Sequence, residues 1–469
     1  MTIALLFDIG STFTKVTAVD CDADKLLGTS AAPTTINSDV NEGLEQATAQ
    51  LEQQTGVIAD RADLKLACSS AAGGLKMVAL GLVPGLTAQA AQWAALGAGA
   101  KVLQTFAFKL SKQEMEKISE LDVDIILLTG GTDGGNSDTI LHNARVLARS
   151  LLDVPIIIAG NKAVQDEING ILQATGKDVR ITDNVMPQLE ELHIEPARQT
   201  IRAVFLEKIV KAKGLDAIQC FVDRVVMPTP SAVMDAAQLL AHGDGKNQGW
   251  GELLVVDVGG ATTDVHSMAT GDPISSGVVL KGLVEPWKKR TVEGDLGMRY
   301  SAASLFAAVG EPFLLRTGKE LNSNLSFSGD DLERFIISLG EEPNKICASE
   351  KEIFFETIIG RAAVTAAMNR HAGRLEQVFT PHGEVFLQRG KDLSRVRKII
   401  GTGGILVHHR SPQVILAGTI RPPEEKTVLT PLAGEFFLDK EYIMSAAGLL
   451  AREMPTTAFN LLRRYLTTV

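Results

Sequence analysis

Two stretches of the sequence place an acidic residue, glycine and hydroxyl residues in the same order. Leu6–Val16 aligns without a gap to Val255–Val265, with Asp8 opposite Asp257. Each stretch is typical of a strand that ends in aspartate, followed by a glycine turn and a second strand. Glycine lets backbone N–H groups approach phosphate oxygens, hydroxyls add donors, and aspartate can hold the hydrated Mg²⁺ of a nucleotide. The sequence therefore predicts two phosphate-binding hairpins, formed by Gly10, Ser11, Thr12, Thr14 and Lys15 in the first copy and by Gly259, Gly260, Thr262, Thr263 and Asp264 in the second.

The prediction of phosphate-binding hairpins depends on the pattern occurring twice. A single copy would fit an ordinary hairpin turn equally well. Other common nucleotide-binding patterns are missing from the sequence, because no GxxxxGK[ST] occurs and no GxGxxG follows the first strand and opens a helix. Two copies so far apart do not suit a solenoid and instead predict two similar lobes.

The elements around the two stretches alternate between apolar runs of strand length and helical patterns, which predicts an α/β protein. The predicted strands are Ile3–Asp8, Leu64–Ser69, Asp124–Thr129, Val154–Ala159, Val179–Ile181, Leu253–Asp257, Lys398–Thr402 and Val414–Ala417. The polar, glycine-rich segment 242–249 is typical of a boundary. We therefore expect a first lobe over residues 1–247 and a second over 248–469, with an inserted α/β subdomain at about 122–185.

Composition excludes several classes of protein. The 469 residues carry a net charge of −10 and only 5% aromatic residues, so we expect no binding to nucleic acid or to an anionic membrane. The first residues lack the basic start of a signal peptide, and no window is apolar enough to span a membrane. The four cysteines are far apart and form no metal-binding pattern, which fits a reducing cytoplasm.

The two hairpins, together with three further segments, resemble the actin-like ATPase superfamily of sugar kinases, Hsp70 chaperones and actin. Ile399–Gly404 is similar to the adenosine turn of that superfamily, and residues 228–233 and 445–450 are similar to its two connecting helices. The resemblance implies a two-lobed actin-like ATPase fold, in which a ribonuclease H-like domain is duplicated. It also implies that ATP and Mg²⁺ bind between the lobes, with Asp8 and Asp257 on the hydrated metal and with Gly403 and Gly404 beside adenosine.

Four segments narrow the resemblance: 5–15, 127–136, 156–161 and 290–299. Together they resemble the MutL family of accessory proteins of methylaspartate (glutamate) mutase, which is unrelated to the mismatch-repair protein of that name. This implies an ATPase that assists or reactivates a cobalamin-dependent mutase, in a chaperone-like manner. The glycine-rich segment 127–136 could present backbone N–H groups to an anion or a cofactor, or it could form ordinary turns.

One position departs from the superfamily. An Hsp70 chaperone has a carboxylate where this chain has Met227, which suggests slow hydrolysis or another acidic residue in that role. Glu293 and Asp295 are candidates, although acidic residues are also common in solvated turns and at helix starts. The main alternative function is a small-molecule kinase, in which Asp133 or Asp264 could act as the general base. A filament-forming actin relative has the least support.

Overall fold

The computed structural model describes residues 1–10, 12–35, 40–70, 75–212, 222–322, 327–381 and 383–469, so the predicted site residue Ser11 lies outside the described residues. The strands are β1 Ile3–Ile9, β2 Phe13–Asp20, β3 Lys25–Pro33, β4 Leu64–Ser69, β5 Lys76–Gly81, β6 Lys101–Ala107, β7 Ile125–Leu128, β8 Ile156–Ile158, β9 Val179–Ile181, β10 Arg224–Pro228, β11 Leu253–Val258, β12 Thr263–Met268, β13 Val278–Leu280, β14 Lys288–Glu293, β15 Arg374–Thr380, β16 Gly383–Arg389, β17 Lys398–Thr402, β18 Glu435–Leu438 and β19 Thr467–Thr468.

The helices are α1 Val40–Thr55, α2 Gln89–Gly97, α3 Lys112–Glu120, α4 Asp138–Arg149, α5 Gln165–Gln173, α6 Glu195–Ala212, α7 Thr229–His242, α8 Ala302–Val309, α9 Glu311–Leu321, α10 Gly329–Glu341, α11 Glu350–His371, α12 Gly404–His408, α13 Pro412–Leu416, α14 Ile443–Leu450 and α15 Pro455–Tyr465. One predicted strand, Val414–Ala417, is wrong because these residues belong to α13 and the single turn that follows it. Pro412 at the first helical position favours the helix, and so short an apolar run does not distinguish strand from helix.

Two sheets share one strand order. Read from the edge that carries the third strand of each copy, the first sheet has the order β3-β2-β1-β4-β10. The second has the order β14-β12-β11-β17-β18, followed by β19. In the first, β1 pairs antiparallel with β2 and parallel with β4; in the second, β11 pairs antiparallel with β12 and parallel with β17. The order and strand directions therefore repeat. This duplication confirms the predicted α/β class with the repeated ribonuclease H-like sheet of actin-like ATPases.

A separate five-stranded parallel sheet has the order β6-β5-β7-β8-β9. In chain order this is 2-1-3-4-5, the arrangement of a doubly wound fold whose helices cover both faces. Buried aliphatic side chains of β7 and β8 pack with α4 and α5 in a core of its own. A small sheet, β13-β16-β15, completes the architecture.

The chain divides into two compact units. Unit 1 contains Met1–Ala236, Gly282–Pro286 and Ser445–Ala458, and unit 2 contains Ala237–Lys281, Trp287–Met444 and Phe459–Val469. Each unit has an extensive apolar core. The lobe boundary at residues 247–248 and the insertion at about 122–185 remain predictions. Within the described part of the chain, no helix combines the length and apolarity that a membrane crossing needs.

Candidate functional site

The first predicted turn joins β1 to β2 and is closed by one backbone hydrogen bond. Gly10 N donates to Phe13 O at 3.0 Å, and Asp8 pairs with Lys15 across the hairpin. A Cβ atom on Gly10 would lie 2.6 Å from Phe13 O, so the turn requires glycine here. Thr12 is half-buried and its carbonyl accepts from Thr34 N at 2.8 Å. The buried Thr14 hydroxyl meets the Thr34 hydroxyl at 3.0 Å, so Thr14 supports the turn from inside.

Three side chains hold the Asp8 carboxylate. The Thr229 hydroxyl donates to Asp8 Oδ1 at 2.7 Å, the Cys68 thiol lies 3.6 Å from the same oxygen, and Lys15 Nζ lies 3.8 Å from Oδ2. Complete burial, followed by the Asp8 charge, raises the pKa of Cys68 well above its usual value, so the thiol stays neutral and can donate. Because Thr229 is the first residue of α7, the carboxylate is tied to the start of that helix.

The second predicted turn repeats the first. Gly259 N donates to Thr262 O at 2.9 Å, and Asp257 pairs with Asp264 across β11 and β12. A Cβ atom on Gly259 would lie 3.0 Å from Thr262 O, again at the position of the closing bond. Asp257, Gly260 and Thr262 are all half-buried at this end of the sheet.

Residues 294–301 lie along the second turn and fix its backbone. Met298 N donates to Gly259 O at 3.0 Å and Arg299 N donates to Gly260 O at 2.8 Å. The fully buried Thr263 hydroxyl donates to Leu296 O at 2.7 Å, so this side chain supports the turn. Of the two threonines predicted to contact phosphate, Thr263 therefore has its hydroxyl engaged within the protein, and the contact of Thr262 stays a prediction. The backbone of this turn is held before any ligand binds.

Asp264 is buried and paired with a buried arginine. Arg290 Nη2 donates to Asp264 Oδ2 at 3.1 Å, and both side chains are nearly inaccessible. His266 alternates onto the same face of β12, where burial and then the Arg290 charge lower its pKa well below the usual value. Asp264 is thus an anionic partner of Arg290 at the base of the second turn.

One arginine binds both acidic candidates for the missing carboxylate. Arg370 Nη1 lies 2.7 Å from Glu293 Oε2 and 2.7 Å from Asp295 Oδ1, and Nη2 lies 2.8 Å from Asp295 Oδ2. Burial raises the pKa of Glu293, whereas the hydrogen bond from Arg370 lowers the pKa of Asp295. Glu293 pairs with Thr263 in the sheet, which places it at the second turn. Met227 is buried at 1% exposure, so its side chain belongs to the core.

The predicted adenosine turn lies directly against Asp257. Gly403 has a φ of +94°, and a Cβ atom there would lie 2.4 Å from Val258 O and 2.7 Å from Asp257 Oδ1. Gly404 begins α12, and a Cβ atom on it would meet only the Tyr442 hydroxyl, at 4.0 Å. The structure therefore brings Asp257, Gly259, Gly260 and Gly403 together in unit 2.

Asp439 was not predicted as a site residue. It is 1% exposed; its Oδ2 accepts from the Thr402 hydroxyl at 3.0 Å, and its Oδ1 accepts from Ile443 N at 2.6 Å. It therefore joins the end of β17 to the start of α14, as Thr229 joins Asp8 to α7. The only sequence signal was an aspartate four residues before a helix of small residues, where acidic side chains satisfy free N–H groups.

The two predicted connecting helices approach each other closely inside unit 1. A Cβ atom on Gly448 would lie 1.9 Å from Ala232 O. Arg452 and Arg202 flank the contact, with nitrogens 3.0 Å and 3.7 Å from the carboxylate of Asp235. Small residues at the contact therefore permit the close approach of these two helices.

The residues fit a magnesium ion held through water. Among the described residues, no group of three or more His, Cys, Asp or Glu side chains could hold a metal ion alone. Mg²⁺ does not need such a group, because it keeps several waters and is bound by one or two carboxylates plus substrate phosphates. Asp8 in unit 1 and Asp257 in unit 2 each supply one carboxylate of this kind beside the glycine turn of their own unit.

Comparisons with known proteins identify similar sequences over the whole chain. A sequence model described as MutL protein matches residues 4–466. Protein MutL from Clostridium tetanomorphum is 47% identical over 465 residues, which cover 99% of each chain. Among solved structures, nucleotide-free acetone carboxylase has 14% identity and a TM-score of 0.38, covering 96% of this chain and 70% of that one. Xylulose kinase from Lactobacillus acidophilus has 11% identity and a TM-score of 0.36, covering 100% of this chain and 93% of that one.

Proposed function

Because the chain belongs to the MutL protein family, we propose that it is an ATP-dependent accessory protein of a cobalamin-dependent mutase. Methylaspartate (glutamate) mutase is the partner we expect. The accessory role is chaperone-like or reactivating and uses weak ATPase activity. The observation that carries the proposal is the same hydrogen-bonded glycine turn, beside an aspartate, in two sheets of the same strand order.

In this proposal each turn offers backbone N–H groups and hydroxyls to the phosphates of ATP. Ser11, Thr12 and Thr262 supply the hydroxyls, and Lys15 neutralises negative charge. Asp8 and Asp257 hold hydrated Mg²⁺, which when bound would neutralise phosphate charge. The Gly403–Gly404 backbone leaves room beside adenosine.

Two contacts suggest how nucleotide occupancy changes a surface that a partner binds. Thr229 links Asp8 to the start of α7, and Asp439 links Thr402 to the start of α14. A ligand that moves either carboxylate must therefore also move, or release, the first turn of a helix. Packed helices shift in discrete steps, so a small displacement at the site can be amplified.

The decisive test mixes the purified protein, Mg-ATP, inactivated mutase and fresh coenzyme, and measures mutase activity. We expect recovery that requires both ATP and this protein. Recovery that is equal without ATP, or absent with it, would overturn the proposed function.

A second experiment tests the site alone. Mg-ATP is titrated against wild type, Asp8→Ala and Asp257→Ala, with Asp153→Ala as a matched control because Asp153 is exposed. We expect each of the two site variants to weaken binding by at least about tenfold, which corresponds to about 1.4 kcal/mol. Unchanged affinity in both would show that the site is assigned incorrectly.

A small-molecule kinase would need a general base free to reach an acceptor hydroxyl. Asp133 Oδ1 accepts from Asn184 at 2.9 Å and from Lys162 N at 3.0 Å, and Asp264 is paired with Arg290. Both candidate bases are engaged, so no observation favours this alternative. Strong stimulation of ATP turnover by one metabolite would support it.

A further inference from the structure

A cavity of about 690 Å³ lies at the carboxyl ends of β5 and β6 in the doubly wound sheet of unit 1. Its volume falls within the range of about 300–1,000 Å³ that is usual for small-molecule sites. Open parallel sheets of this type bind ligands outside the carboxyl ends of their strands, at the point where the strand order reverses, which here lies between β5 and β7 beside the cavity. The lining comes from the turn after β5, the start of α2, the end of β6 and the side of α3.

A β-bulge in β6 sets the direction of one side chain that lines the cavity. Met77 pairs with Val102 and the next residue, Val78, pairs with Gln104, so Leu103 is the extra residue in β6. A bulge shifts every following side chain by one position, and bulges are common at sheet edges beside functional sites. Gln104 is exposed after this shift and lines the cavity.

Phe108, at the cavity rim, has a backbone conformation that bulky side chains rarely adopt. Its φ is +67° and its side chain is 59% exposed. Strain of this kind persists only where the surroundings enforce it, and it clusters at ligand sites.

The surroundings of Phe108 do enforce it. The Asn143 side chain, 1% exposed, donates through Nδ2 to Phe108 O at 3.0 Å and accepts through Oδ1 from Leu110 N at 2.8 Å. Phe108 N donates to Leu82 O at 3.1 Å. A buried amide therefore maintains a strained turn whose result is an aromatic ring held in solvent.

Three of the side chains that line the cavity are carboxamides, beside the polar side chains of Thr105, Glu114 and Lys117. Gln89, Gln92 and Gln104 line it, and none of the three side chains hydrogen-bonds to another described residue. A carboxamide offers an acceptor and two donors, which matches the neighbouring donor and acceptor of an amide or imide edge. The Phe108 ring offers a face for stacking.

We propose that this cavity binds a planar heterocycle with an amide-type edge, stacked on Phe108 and hydrogen-bonded by the three glutamines. Flavins and pyrimidine nucleosides share this chemistry. No residue of the glycine turns lines the cavity, and the proposal does not depend on the proposed function.

The test uses riboflavin, followed by fluorescence anisotropy, and uridine, followed by saturation-transfer NMR, against the full chain. The key variant is Phe108→Gly, which removes the ring but tolerates a φ of +67° and so keeps the thermal midpoint. Phe379→Ala is the control, because Phe379 is also exposed, at 78%, and does not line the cavity.

We expect at least one probe to bind, and Phe108→Gly to weaken binding by about 5- to 150-fold, the range expected for loss of one stacked base. Phe379→Ala leaves binding unchanged, and saturating Mg-ATP does not displace the probe. Binding of riboflavin alone would identify the ligand class as flavin-like, and binding of uridine alone as nucleoside-like. Binding of neither probe, binding unaffected by Phe108→Gly, or displacement by Mg-ATP would each overturn the proposal.

Discussion

Replacement of Gly403 by alanine tests whether the adenosine turn and Asp257 form one site. With φ +94° and ψ 151°, Gly403 occupies a region that is almost exclusive to glycine, at a cost of about 1–3 kcal/mol for any other residue. The new Cβ atom would also lie 2.4 Å from Val258 O, a backbone atom that cannot rotate away. Overpacking of this kind costs about 1–3 kcal/mol more. We therefore expect Gly403→Ala to destabilise unit 2 by about 2–6 kcal/mol unless the turn moves away from Asp257.

Two measurements separate these outcomes. Thermal unfolding detects the destabilisation, because about 1 kcal/mol shifts the midpoint by about 2–4 °C in a domain of 150–250 residues. Mg-ATP titration detects a displaced turn. Gly404→Ala is the matched control, because its Cβ atom is unobstructed and alanine favours a helix start over glycine. If Gly403→Ala and Gly404→Ala had the same thermal midpoint and the same affinity for Mg-ATP, the conclusion that Gly403 packs against Asp257 would be wrong.

Three further predictions concern charge and packing. Burial lowers the pKa of His371 well below its usual value, so only the unfolded chain gains a proton at this histidine. The free energy of unfolding therefore falls as the pH drops below about 6.5, by up to about 1.4 kcal/mol per pH unit. Urea unfolding between about pH 7.5 and 5.5 should show a smaller loss of stability in His371→Gln than in wild type. Arg370→Ala removes the cation that opposes the raised pKa of Glu293, so any pH profile of ATP turnover that depends on this carboxylate should move to higher pH. Gly448→Ala puts a Cβ atom 1.9 Å from a backbone oxygen and should destabilise the protein by about 1–3 kcal/mol. Gly170→Ala is the control, because a Cβ atom there lies in open space and should not destabilise the protein. Differential scanning calorimetry measures both changes.

The sequence allowed the two glycine turns to be predicted because each turn is encoded locally. Gly10 and Gly259 close their turns onto residues three positions later, so the signal lies within a few consecutive residues. The repeat then implied the duplicated sheet. Strands β5 and β6 were not predicted, because they lie at the two ends of a weakly polar region, residues 77–103, that shows no clear period.

The surroundings of the site residues could not be predicted in the same way. Thr229 and Cys68 reach Asp8 from positions far along the chain, and only the strand register brings them together. The commitment of the Thr263 hydroxyl to Leu296 O likewise depends on which face of β12 is covered. A register shift of one residue would turn the side chains of β12 to the opposite face of the sheet, and the amino-acid composition does not indicate which register forms.

The alternation of the chain between its units restricts how the protein can be dissected. Unit 1 includes Ser445–Ala458, which arrives only after most of unit 2 has been synthesised. A fragment ending at residue 247 would lack Gly448 and Arg452, so Ala232 would lose its backbone contact with Gly448 and Asp235 would lose its ion pair with Arg452. Co-expression of complementary pieces, or a circular permutant that joins the tail to the amino-terminal half, is therefore the practical route to an isolated unit 1.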